Sequence, residues 1–395
     1  MSDKFTAFDH IPMFDADNHL YEPIEALTQY LPKRHQHKVQ LVQVGRKTRI
    51  ALRGEITDYI PNPTFEVVAA PGSHVDFYAG NNPDGLTLRE MGGDPIRLQD
   101  AMRWPEPRLA LMHEQGLSGA LLYPTLANLV EFHVSDDPDF THDLLHALNE
   151  WLHEVWTFNL EGRIYPAAVI TTALVDRAIV ELEWALDRGA KAILMRPSPV
   201  VGYHGSRAFS LPEFDPFWAR VQEADIGVCL HGTQPITSRY AAWWEPSDSE
   251  NAFTGGPFLG MLLGHRDIQD TITGLICHGT FHRFPGLRIA SVENGADWVP
   301  ELFRKLRSSA KKFPKHYPED PIEVFRRNVY ITPFWEENIA DLIELCGNDR
   351  VMYGSDYPHP EGLAEPRAFL GHLDGMDDAL VQRIVHDNTR QLIGI

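Results

Sequence analysis

A carboxylate and an imidazole stand two residues apart near the start of the chain, in the stretch FDADNHLYEP. Asp17 and His19 end a short apolar run that reads IPMFDADNH. Side chains two residues apart point to the same face of an extended strand, so this pair could offer two ligands to one metal ion. The spacing alone also suits two polar residues that finish a strand, and the rest of the sequence must distinguish the two interpretations.

Further imidazole and carboxylate groups follow short apolar runs later in the chain. His231 ends IGVCLH, Glu293 ends LRIASVE and Asp356 ends RVMYGSD. Imidazoles and carboxylates are the usual ligands of catalytic Zn²⁺, Mn²⁺ or Fe²⁺. An aspartate in GSDYP is by itself more often the cap of a turn or helix, but recurrence at several strand ends favours a metal site. Its predicted ligands are Asp17, His19, His231, Glu293 and Asp356.

Eight apolar segments have the length of buried strands and alternate with helical patterns, such as the apolar stripe of the helix predicted at 143–156. The predicted strands are 11–19, 119–124, 163–170, 190–196, 226–231, 287–293, 328–332 and 350–356. This alternation predicts an α/β fold, a (β/α)8 TIM-type barrel whose functional residues lie at the C-terminal ends of the strands. A doubly wound dinucleotide-binding sheet has no support, because no GxGxxG follows the first strand.

The segment 38–95 interrupts this alternation. VQLVQVGRKTRIALRG predicts a β-hairpin, and DYIPNPTFEVVAAPGS is rich in turn residues. We interpret the segment as a β-rich lid, inserted after strand one, that covers the barrel mouth. The sequence therefore predicts a single domain over residues 1–395, with the inserted lid at the rim of the barrel.

Composition excludes several classes of protein. The formal net charge of -20 has the opposite sign to that of a nucleic-acid binder. No apolar run approaches the ~20 residues of a membrane span, and the opening MSDKFTAFDHIP lacks the apolar segment of a secretion signal. The three cysteines form no CxxC pair, which argues against a disulfide scaffold or a cysteine zinc site. We expect a cytoplasmic protein without nucleic-acid or membrane partners.

Four segments, DADNH, LHGT, RFPGLRIASVENGADW and MYGSDYPHPEG, together resemble the amidohydrolase-2 (ACMSD-like) branch of the amidohydrolase superfamily. That branch contains aminocarboxymuconate-semialdehyde decarboxylase, resorcylate-type decarboxylases and related hydrolases and hydratases. The resemblance runs from strand one to strand eight and covers 38–95 least. It implies a barrel fold, and it implies metal ligands at Asp17, His19, His231 and Asp356.

The chain departs from the family pattern at two positions. The family's HxH or ExH motif is DxH here, with Asp17 in the first place, and Glu293 aligns with a histidine that transfers protons beside the metal-bound water. Both departures add a carboxylate, which favours Mn²⁺ or Fe²⁺ over Zn²⁺. Glu293 is therefore predicted to be a general base or a further ligand.

Three more residues are candidates for contact with the substrate or the reacting groups. Arg196, at the end of AKAILMRP, is predicted to bind a substrate carboxylate or to form an ion pair at the rim. Trp298 is predicted to form an apolar wall of the pocket or to belong to the core. His359, shortly after Asp356, is predicted to be a hydrogen-bond partner of the site or a proton shuttle.

A second metal site is also open to interpretation. His278 and His282 in ICHGTFHRFPG lie four residues apart, on one face of a helix if the helix continues through both. With Glu293 they could hold a second ion. The alternative is a pair of surface or interface histidines without metal.

The leading hypothesis is a metal-dependent hydrolase or decarboxylase that acts on a small carboxylated or amide-type molecule, with Glu293, Asp356 and His359 as proton-transfer residues. A second hypothesis is a dinuclear non-haem iron monooxygenase, or a subunit of one, that hydroxylates a small acid. A third is a non-catalytic partner subunit of a hetero-oligomer, which the intact ligand pattern disfavours. The expected cofactor is a divalent Mn, Fe or Zn ion, and we expect a homo- or hetero-oligomer.

Overall fold

The computed structural model describes residues 8–60, 62–236, 238–245 and 257–395. Residues 1–7 and position 61 of the predicted lid lie outside the described residues. In chain order the strands of the described part are β1 (Met13–Leu20), β2 (Val39–Val44), β3 (Lys47–Leu52), β4 (Glu55–Thr57), β5 (Val67–Val68), β6 (Ile96–Arg97), β7 (Leu117–Pro124), β8 (Ile164–Pro166), β9 (Ala168–Val169), β10 (Ala192–Met195), β11 (Val200–Gly202), β12 (Gly205–Arg207), β13 (Gly227–His231), β14 (Ile289–Val292) and β15 (Val329–Ile331).

Helices connect most of the strands that pair in parallel. In chain order the α-helices of the described part are α1 (Glu25–Thr28), α2 (Val75–Tyr78), α3 (Leu88–Met91), α4 (Pro105–Glu114), α5 (Ala127–Val134), α6 (Pro138–Trp156), α7 (Val175–Leu186), α8 (Asp215–Glu223), α9 (Ser238–Ala241), α10 (Pro257–Leu263), α11 (Arg266–Cys277), α12 (Thr280–Arg283), α13 (Trp298–Lys312), α14 (Pro321–Asn328), α15 (Ile339–Cys346), α16 (Asp378–Gln382) and α17 (Asn388–Leu392). Within the described ranges, none of them combines the length and the apolar character that a bilayer crossing requires.

Parallel pairing arranges the long strands in a ring. One series has the order β1, β7, β8, and the other has the order β9, β10, β13, β14, β15. Residues 164–169 join the two series, because β8 pairs with β7 and β9 pairs with β10. Between them, the backbone N–H of Ala167 donates a hydrogen bond of 3.0 Å to the Leu122 carbonyl.

The ring closes through residues 350–357, where the sequence predicts the eighth strand. This segment is irregular, and two isolated parallel bridges hold it, from Ile331 to Val351 on one side and from Asn18 to Tyr357 on the other. The backbone N–H of Ala16 also donates to the Tyr353 carbonyl at 2.9 Å. The predicted α/β fold is confirmed, and this parallel arrangement is consistent with the predicted (β/α)8 barrel, in which the eighth segment pairs with its neighbours but is not a continuous strand.

Residues 38–95 form a β-rich layer outside the ring. The hairpin predicted from VQLVQVGRKTRIALRG is present as β2 and β3, and β4 extends it into a three-stranded antiparallel sheet. Lys47, Tyr59 and Phe65 of this layer line a large cavity whose floor includes the strand-end residues His19 and His231. We propose that this layer acts as the lid of a single-domain barrel.

The long helices bury the apolar stripes that the sequence shows. α6 begins at Pro138, five residues before the predicted start, because Asp137 caps it: the Asp137 side chain accepts a hydrogen bond of 3.2 Å from the Phe140 backbone N–H. Proline suits the first helical position, where its missing N–H would have no partner within the helix. Leu148 and Trp151 of this helix belong to the continuous hydrophobic core that surrounds the barrel.

A buried carboxylate strengthens the closure where strand pairing is sparse. Oδ1 of Asp15 accepts hydrogen bonds from the backbone N–H groups of Asp17 (3.1 Å) and Ser355 (2.9 Å). Oδ2 accepts from Asn18 Nδ2 (3.0 Å) and Ser355 Oγ (2.5 Å). Burial nevertheless raises the pKa of Asp15 to about 6. These four donors make Asp15 the side chain that ties β1 to the closing segment.

Replacement of Asp15 by alanine is expected to destabilise the fold by about 3 kcal/mol, because it leaves buried donors of Ser355 and Asn18 without acceptors. Urea unfolding followed by circular dichroism measures this difference. Asp84→Ala is the matched control, since Asp84 is exposed, and its unfolding free energy should change little. Equal stability of the two variants would contradict the role of Asp15 in closure.

Candidate functional site

Four side chains converge at the C-terminal end of the barrel. Nε2 of His19 lies 3.2 Å from Asp17 Oδ1 and 3.0 Å from Nε2 of His231. Oε2 of Glu293 lies 3.4 Å from His19 Nε2 and 3.3 Å from His231 Nε2. One ligand atom of each of the four residues lies within 4.8 Å of the others. The structure therefore brings these four predicted ligands into one cluster.

Asp356 and His359 extend this cluster on the side of His19. Oδ1 of Asp356 lies 3.6 Å from His19 Nε2 and 2.7 Å from His359 Nδ1. The other ring nitrogen of His359 lies 3.1 Å from Thr125 Oγ1. His19, Glu293, Asp356 and His359 form a second set of donors with the spacing of a metal site. The two sets share His19 and Glu293.

Buried polar atoms without a hydrogen-bond partner indicate whether this cluster suits a cation. Asp17 Oδ1 and Glu293 Oε2 are buried and have no hydrogen-bond partner among the described residues. His231 Nδ1 lies 2.8 Å from the Gly232 carbonyl. A carbonyl can only accept, so the proton is on Nδ1, and Nε2 presents its lone pair to the cluster. A divalent cation between these atoms would give each of them a partner, so the residues present fit a metal ion.

The excess of carboxylates makes the site strongly acidic. Burial and the nearby charges of Glu293 and Glu361 raise the pKa of Asp356 well above its usual range. Burial, with the charge of Glu293, raises the pKa of Glu361 to about 8. Burial opposes a charge on His19, but the nearby carboxylates of Asp17 and Glu293 outweigh it and raise the pKa of His19 to about 9. Each of these shifts shows a site that favours added positive charge.

Two of the carboxylates stand on unusual backbone. Glu293 has φ of 53° and Asp356 has φ of 56°, in the left-handed region that non-glycine residues rarely adopt. Such conformations persist where the surroundings hold them in place, and they concentrate at functional sites. Gly354 makes room for the cluster, because a Cβ there would lie 2.6 Å from the Cβ of Asp17.

A buried arginine that the sequence reading missed holds the end of β1. Arg108 on α4 is 1% exposed. Its Nη2 donates to the His19 carbonyl at 2.7 Å, its Nε donates to the Ala101 carbonyl at 2.5 Å, and its Nη1 donates to Asn18 Oδ1. Arg108 therefore fixes the backbone that carries His19. No sequence pattern indicates this role, because two of the three partner atoms are backbone carbonyls and the third, on the Asn18 side chain, is 90 residues away.

Two further carboxylates that are not among the predicted site residues lie close to the site. Glu22 accepts hydrogen bonds from the backbone N–H groups of Thr125 (3.0 Å) and Leu126 (2.6 Å), and so joins the ends of β1 and β7. Glu361 lines the cavity, and its buried Oε2 has no hydrogen-bond partner in the described part of the chain. Its position two residues after His359 in SDYPHPEG is a signal that could have found it.

Arg196 does not take the predicted place beside the substrate. It is buried, and its Nη2 donates to the Gln234 carbonyl at 3.1 Å. The guanidinium carbon lies 4.9 Å from the centroid of the Phe132 ring. It lines a separate small cavity with Glu131 rather than the large cavity. The prediction is corrected because the side chain turns behind Phe132 after β10 ends.

Trp298 belongs to the core rather than to the cavity wall. It is the first residue of α13, its Nε1 donates to the Gly295 carbonyl at 2.9 Å, and its ring packs against Phe325. It does not line the large cavity. Phe334, which follows β15, lines that cavity instead.

His278 and His282 do not form a second metal site with Glu293. α11 ends at Cys277, and Gly279, with φ of 74°, separates it from α12. Nδ1 of His278 lies 2.8 Å from Ser210 Oγ, whereas Nδ1 of His282 lies 3.2 Å from Glu319 Oε1. The assumption of one continuous helix is wrong, so the two imidazoles have separate partners.

A cavity of about 1730 Å³ opens above the cluster. His19, His231, Glu293 and His359 lie on its floor, and its walls include aromatic side chains from the barrel and from residues 38–95. The rings of Tyr21 and Phe65 lie 4.7 Å apart. The volume exceeds the roughly 300–1,000 Å³ of most ligand pockets. The cluster is therefore open to a substrate.

The chain is similar to a protein family and to curated decarboxylases. A family model described as "Amidohydrolase" (Amidohydro_2) matches residues 15–395. A gamma-resorcylate decarboxylase from Rhodococcus jostii is 27% identical over 162 residues, which are 38% of this chain and 45% of that protein. The match thus spans less than half of that curated relative.

Two solved structures extend the similarity to the whole fold. An amidohydrolase from Mycobacterium avium subsp. paratuberculosis is 35% identical, with a TM-score of 0.91 over 98% of both chains. A dihydroxybenzoic acid decarboxylase from Polaromonas sp. JS666, solved with manganese and 2-nitroresorcinol, is 19% identical, with a TM-score of 0.60 over 83% of this chain and 95% of that one. The second similarity concerns the fold alone.

Replacement of Gly354 by alanine is expected to weaken binding of Mn²⁺ by about tenfold or more, because the new Cβ would displace Asp17 from the cluster. Calorimetric titration with Mn²⁺ measures this. Gly371→Ala is the matched control, since a Cβ there meets nothing within 4 Å. Equal Mn²⁺ affinity of the two variants would contradict the close approach of Gly354 to the site.

Proposed function

The chain belongs to the amidohydrolase family, and from this premise we propose that it is a metal-dependent decarboxylase of an aromatic carboxylic acid. The observation that carries the proposal is the convergence of Asp17 Oδ1 and Glu293 Oε2 on two imidazole Nε2 atoms. Both oxygens are buried and lack a hydrogen-bond partner in the described part of the chain. A gamma-resorcylate decarboxylase among the relatives supports the reaction class.

Asp17, His19, His231 and Glu293 would hold the ion in this proposal. A divalent ion bound there supplies Lewis-acid polarisation of a substrate oxygen. We propose manganese or iron rather than zinc, because two of the four donors are carboxylate oxygens and Asp356 adds a third nearby. The manganese in the Polaromonas decarboxylase supports this choice.

The cavity walls favour an aromatic substrate. Tyr21, Phe65 and Phe334 line the space above the cluster and can stack against a ring. Phe132 also lines this space and shields Arg196. The position of Arg196 therefore does not support the predicted contact with a substrate carboxylate. In this proposal the substrate carboxylate is therefore oriented from the floor of the cavity.

Decarboxylation needs one proton at a defined place. The bond between the ring carbon and the carboxylate breaks, CO₂ leaves, and the electron pair left on the ring carbon takes a proton. We assign the donor role to Asp356, because burial and the charges of Glu293 and Glu361 keep the proton on its carboxyl group. His359 positions that carboxyl group through the 2.7 Å contact from its Nδ1 to Asp356 Oδ1.

Burial lowers the pKa of His359 well below its usual range, and the charge of His19 lowers it further. A neutral imidazole can accept a proton on one nitrogen while it donates from the other. His359 Nε2 lies 3.1 Å from Thr125 Oγ1 at the cavity wall. His359 therefore supports return of a proton to Asp356 after each turnover.

A dinuclear non-haem iron oxygenase is the second candidate function. The observation that favours it is the second donor set, His19, Glu293, Asp356 and His359, which shares two residues with the first. In this candidate His19 and Glu293 would help to hold both ions, and the two ions would supply the redox chemistry of an oxygenase. The metal content of the protein distinguishes this candidate from the decarboxylase.

Protein purified without added metal is expected to contain one equivalent of Mn or Fe per chain, and His231→Ala should lose it, because His231 supplies an Nε2 lone pair to the cluster. Plasma mass spectrometry measures the content. His278→Ala is the matched control, since His278 contacts Ser210 away from the site, and it should keep the ion. Two irons per chain would favour the oxygenase, and absence of metal after metal-replete growth would overturn both candidates.

Asp356→Asn is expected to lower CO₂ release from hydroxybenzoate substrates by about 100-fold or more, because an amide cannot supply the proton. Headspace analysis measures CO₂, and reaction in D₂O should place one deuterium on the carbon that lost the carboxylate. The exposed Asp374→Asn serves as control and should keep its rate. Hydrolysis of amide substrates without CO₂ release from any aromatic acid would contradict the proposed reaction.

A further inference from the structure

The loop that carries His359 lacks two backbone donors. Pro358 and Pro360 flank His359 in the stretch SDYPHPEG, and proline has no backbone N–H. Both prolines are buried, and a buried backbone carbonyl costs free energy unless it accepts a hydrogen bond. The carbonyls of residues 356–364, which we call the His359 loop, therefore rely largely on donors from other parts of the chain.

The barrel supplies donors to two carbonyls of the His359 loop. The Tyr21 hydroxyl, directly after β1, donates to the Pro358 carbonyl at 3.4 Å. Trp335, in the segment that follows β15, donates from Nε1 to the Glu361 carbonyl at 3.3 Å. These bonds hold the residues on either side of His359 and Pro360.

The lid layer, residues 38–95, supplies the donors to the two carbonyls between them. The backbone N–H of Gly72 donates to the His359 carbonyl at 3.3 Å, and the backbone N–H of His74 donates to the Pro360 carbonyl at 2.8 Å. Four consecutive carbonyls thus accept hydrogen bonds from barrel and lid layer. The lid layer binds the loop at the residue that contacts Asp356.

The lid layer packs tightly where it meets the loop. Gly72 has φ of 71°, in the left-handed region, and a Cβ there would lie 3.0 Å from both the Cβ and the backbone nitrogen of Ala364. His74 is 6% exposed, and a Cβ at Gly92 would lie 2.7 Å from its Nε2. Residues 72–74, which we call the latch, are therefore fixed between the His359 loop and the rest of the lid layer.

The latch also leads to the cavity wall. It is followed directly by α2, and Tyr78 at the end of α2 lines the large cavity. His359 lines the same cavity from its floor. A substrate in the cavity therefore contacts the segment of the lid layer that holds His359.

We propose that Gly72 and His74 are positioning residues for proton transfer, which hold His359 between Asp356 and Thr125. In this position His359 Nδ1 lies 2.7 Å from Asp356 Oδ1, and Nε2 lies 3.1 Å from Thr125 Oγ1. Misplacement of a reacting group by about 1 Å can cost about 100-fold in rate. The lid layer then sets the geometry of proton transfer as well as covering the cavity, an inference that rests on the proton-transfer role proposed above for His359.

Gly72→Ala tests this positioning role, with Gly80→Ala as the matched control. Gly80 has φ of 74°, close to that of Gly72, but a Cβ there meets nothing within 4 Å. The two variants thus share the backbone strain and differ in the contact with the His359 loop. With the hydroxybenzoate that the wild type decarboxylates fastest, Gly72→Ala should lower kcat by about tenfold or more and leave KM nearly unchanged. Gly80→Ala should keep both values.

Hydrogen exchange followed by mass spectrometry reads the latch without any need for activity. Peptides that cover residues 359–364 should exchange at least about tenfold faster in Gly72→Ala than in the wild type or in Gly80→Ala. Gly92→Ala is a milder second variant, because it displaces only the His74 ring, and it should also increase exchange in these peptides. Circular dichroism and thermal unfolding show whether each variant is folded.

The two measurements separate failure of the latch from failure of the proposed reaction. A wild type that releases no CO₂ from any hydroxybenzoate would contradict the proposed function, while exchange would still show whether the latch holds the loop. Unchanged exchange of residues 359–364 in folded Gly72→Ala and Gly92→Ala would overturn the latch. Faster exchange with unchanged kcat would overturn the positioning role, because the latch would then only attach the lid layer to the barrel.

Discussion

Buried carboxylate oxygens without a hydrogen-bond donor require positive charge close by, and this requirement governs the C-terminal end of the barrel. Among the residues that the structure describes, none donates a hydrogen bond to Asp17 Oδ1 or Glu293 Oε2. The two neighbouring imidazoles do not satisfy it fully, because His231 uses Nδ1 for the Gly232 carbonyl and its Nε2 faces that of His19 at 3.0 Å. A divalent cation would bind all four ligand atoms of this cluster, and its binding would then also stabilise the fold.

The architecture around the cluster keeps these like charges together. Asp15 ties β1 to the closing segment, and Arg108 binds the carbonyl of His19 from below. Glu293 and Asp356 hold left-handed backbone, which costs of order 1–3 kcal/mol each and persists only where neighbours enforce it. These neighbours therefore hold the carboxylates of the cluster in place at the expense of some backbone stability.

Much of the fold could be predicted because strand length and helical period are local properties. Asp17 and His19 followed from a spacing of two on an extended strand, and His231 and Glu293 followed from their places at strand ends. Asp15 shares that spacing with Asp17, so the same reasoning could have found it. The eighth strand was the weakest prediction, because its irregular backbone depends on Asp15 and Ser355, which come together only in the closed ring.

Other site residues could not be predicted, because their positions depend on where a side chain turns after its strand ends. Arg196 turns behind Phe132, and Trp298 turns into the core as α13 begins. The pairing of His278 with His282 failed for a local reason, since Gly279 ends the helix between them. Glu361 could have been found from its place two residues after His359, but its raised pKa depends on the tertiary closeness of Glu293, which the sequence does not reveal.

The central claim is that the cluster of Asp17, His19, His231 and Glu293 binds a divalent cation. Titration of Mn²⁺ into metal-stripped protein, followed by the electron paramagnetic resonance signal of free Mn²⁺, tests it most directly. We predict that no free signal appears until one equivalent of Mn²⁺ per chain has been added, and that in the double variant Asp17→Ala, Glu293→Ala the free signal rises from the first addition. A free signal that rises from the first addition in the wild type would contradict the account.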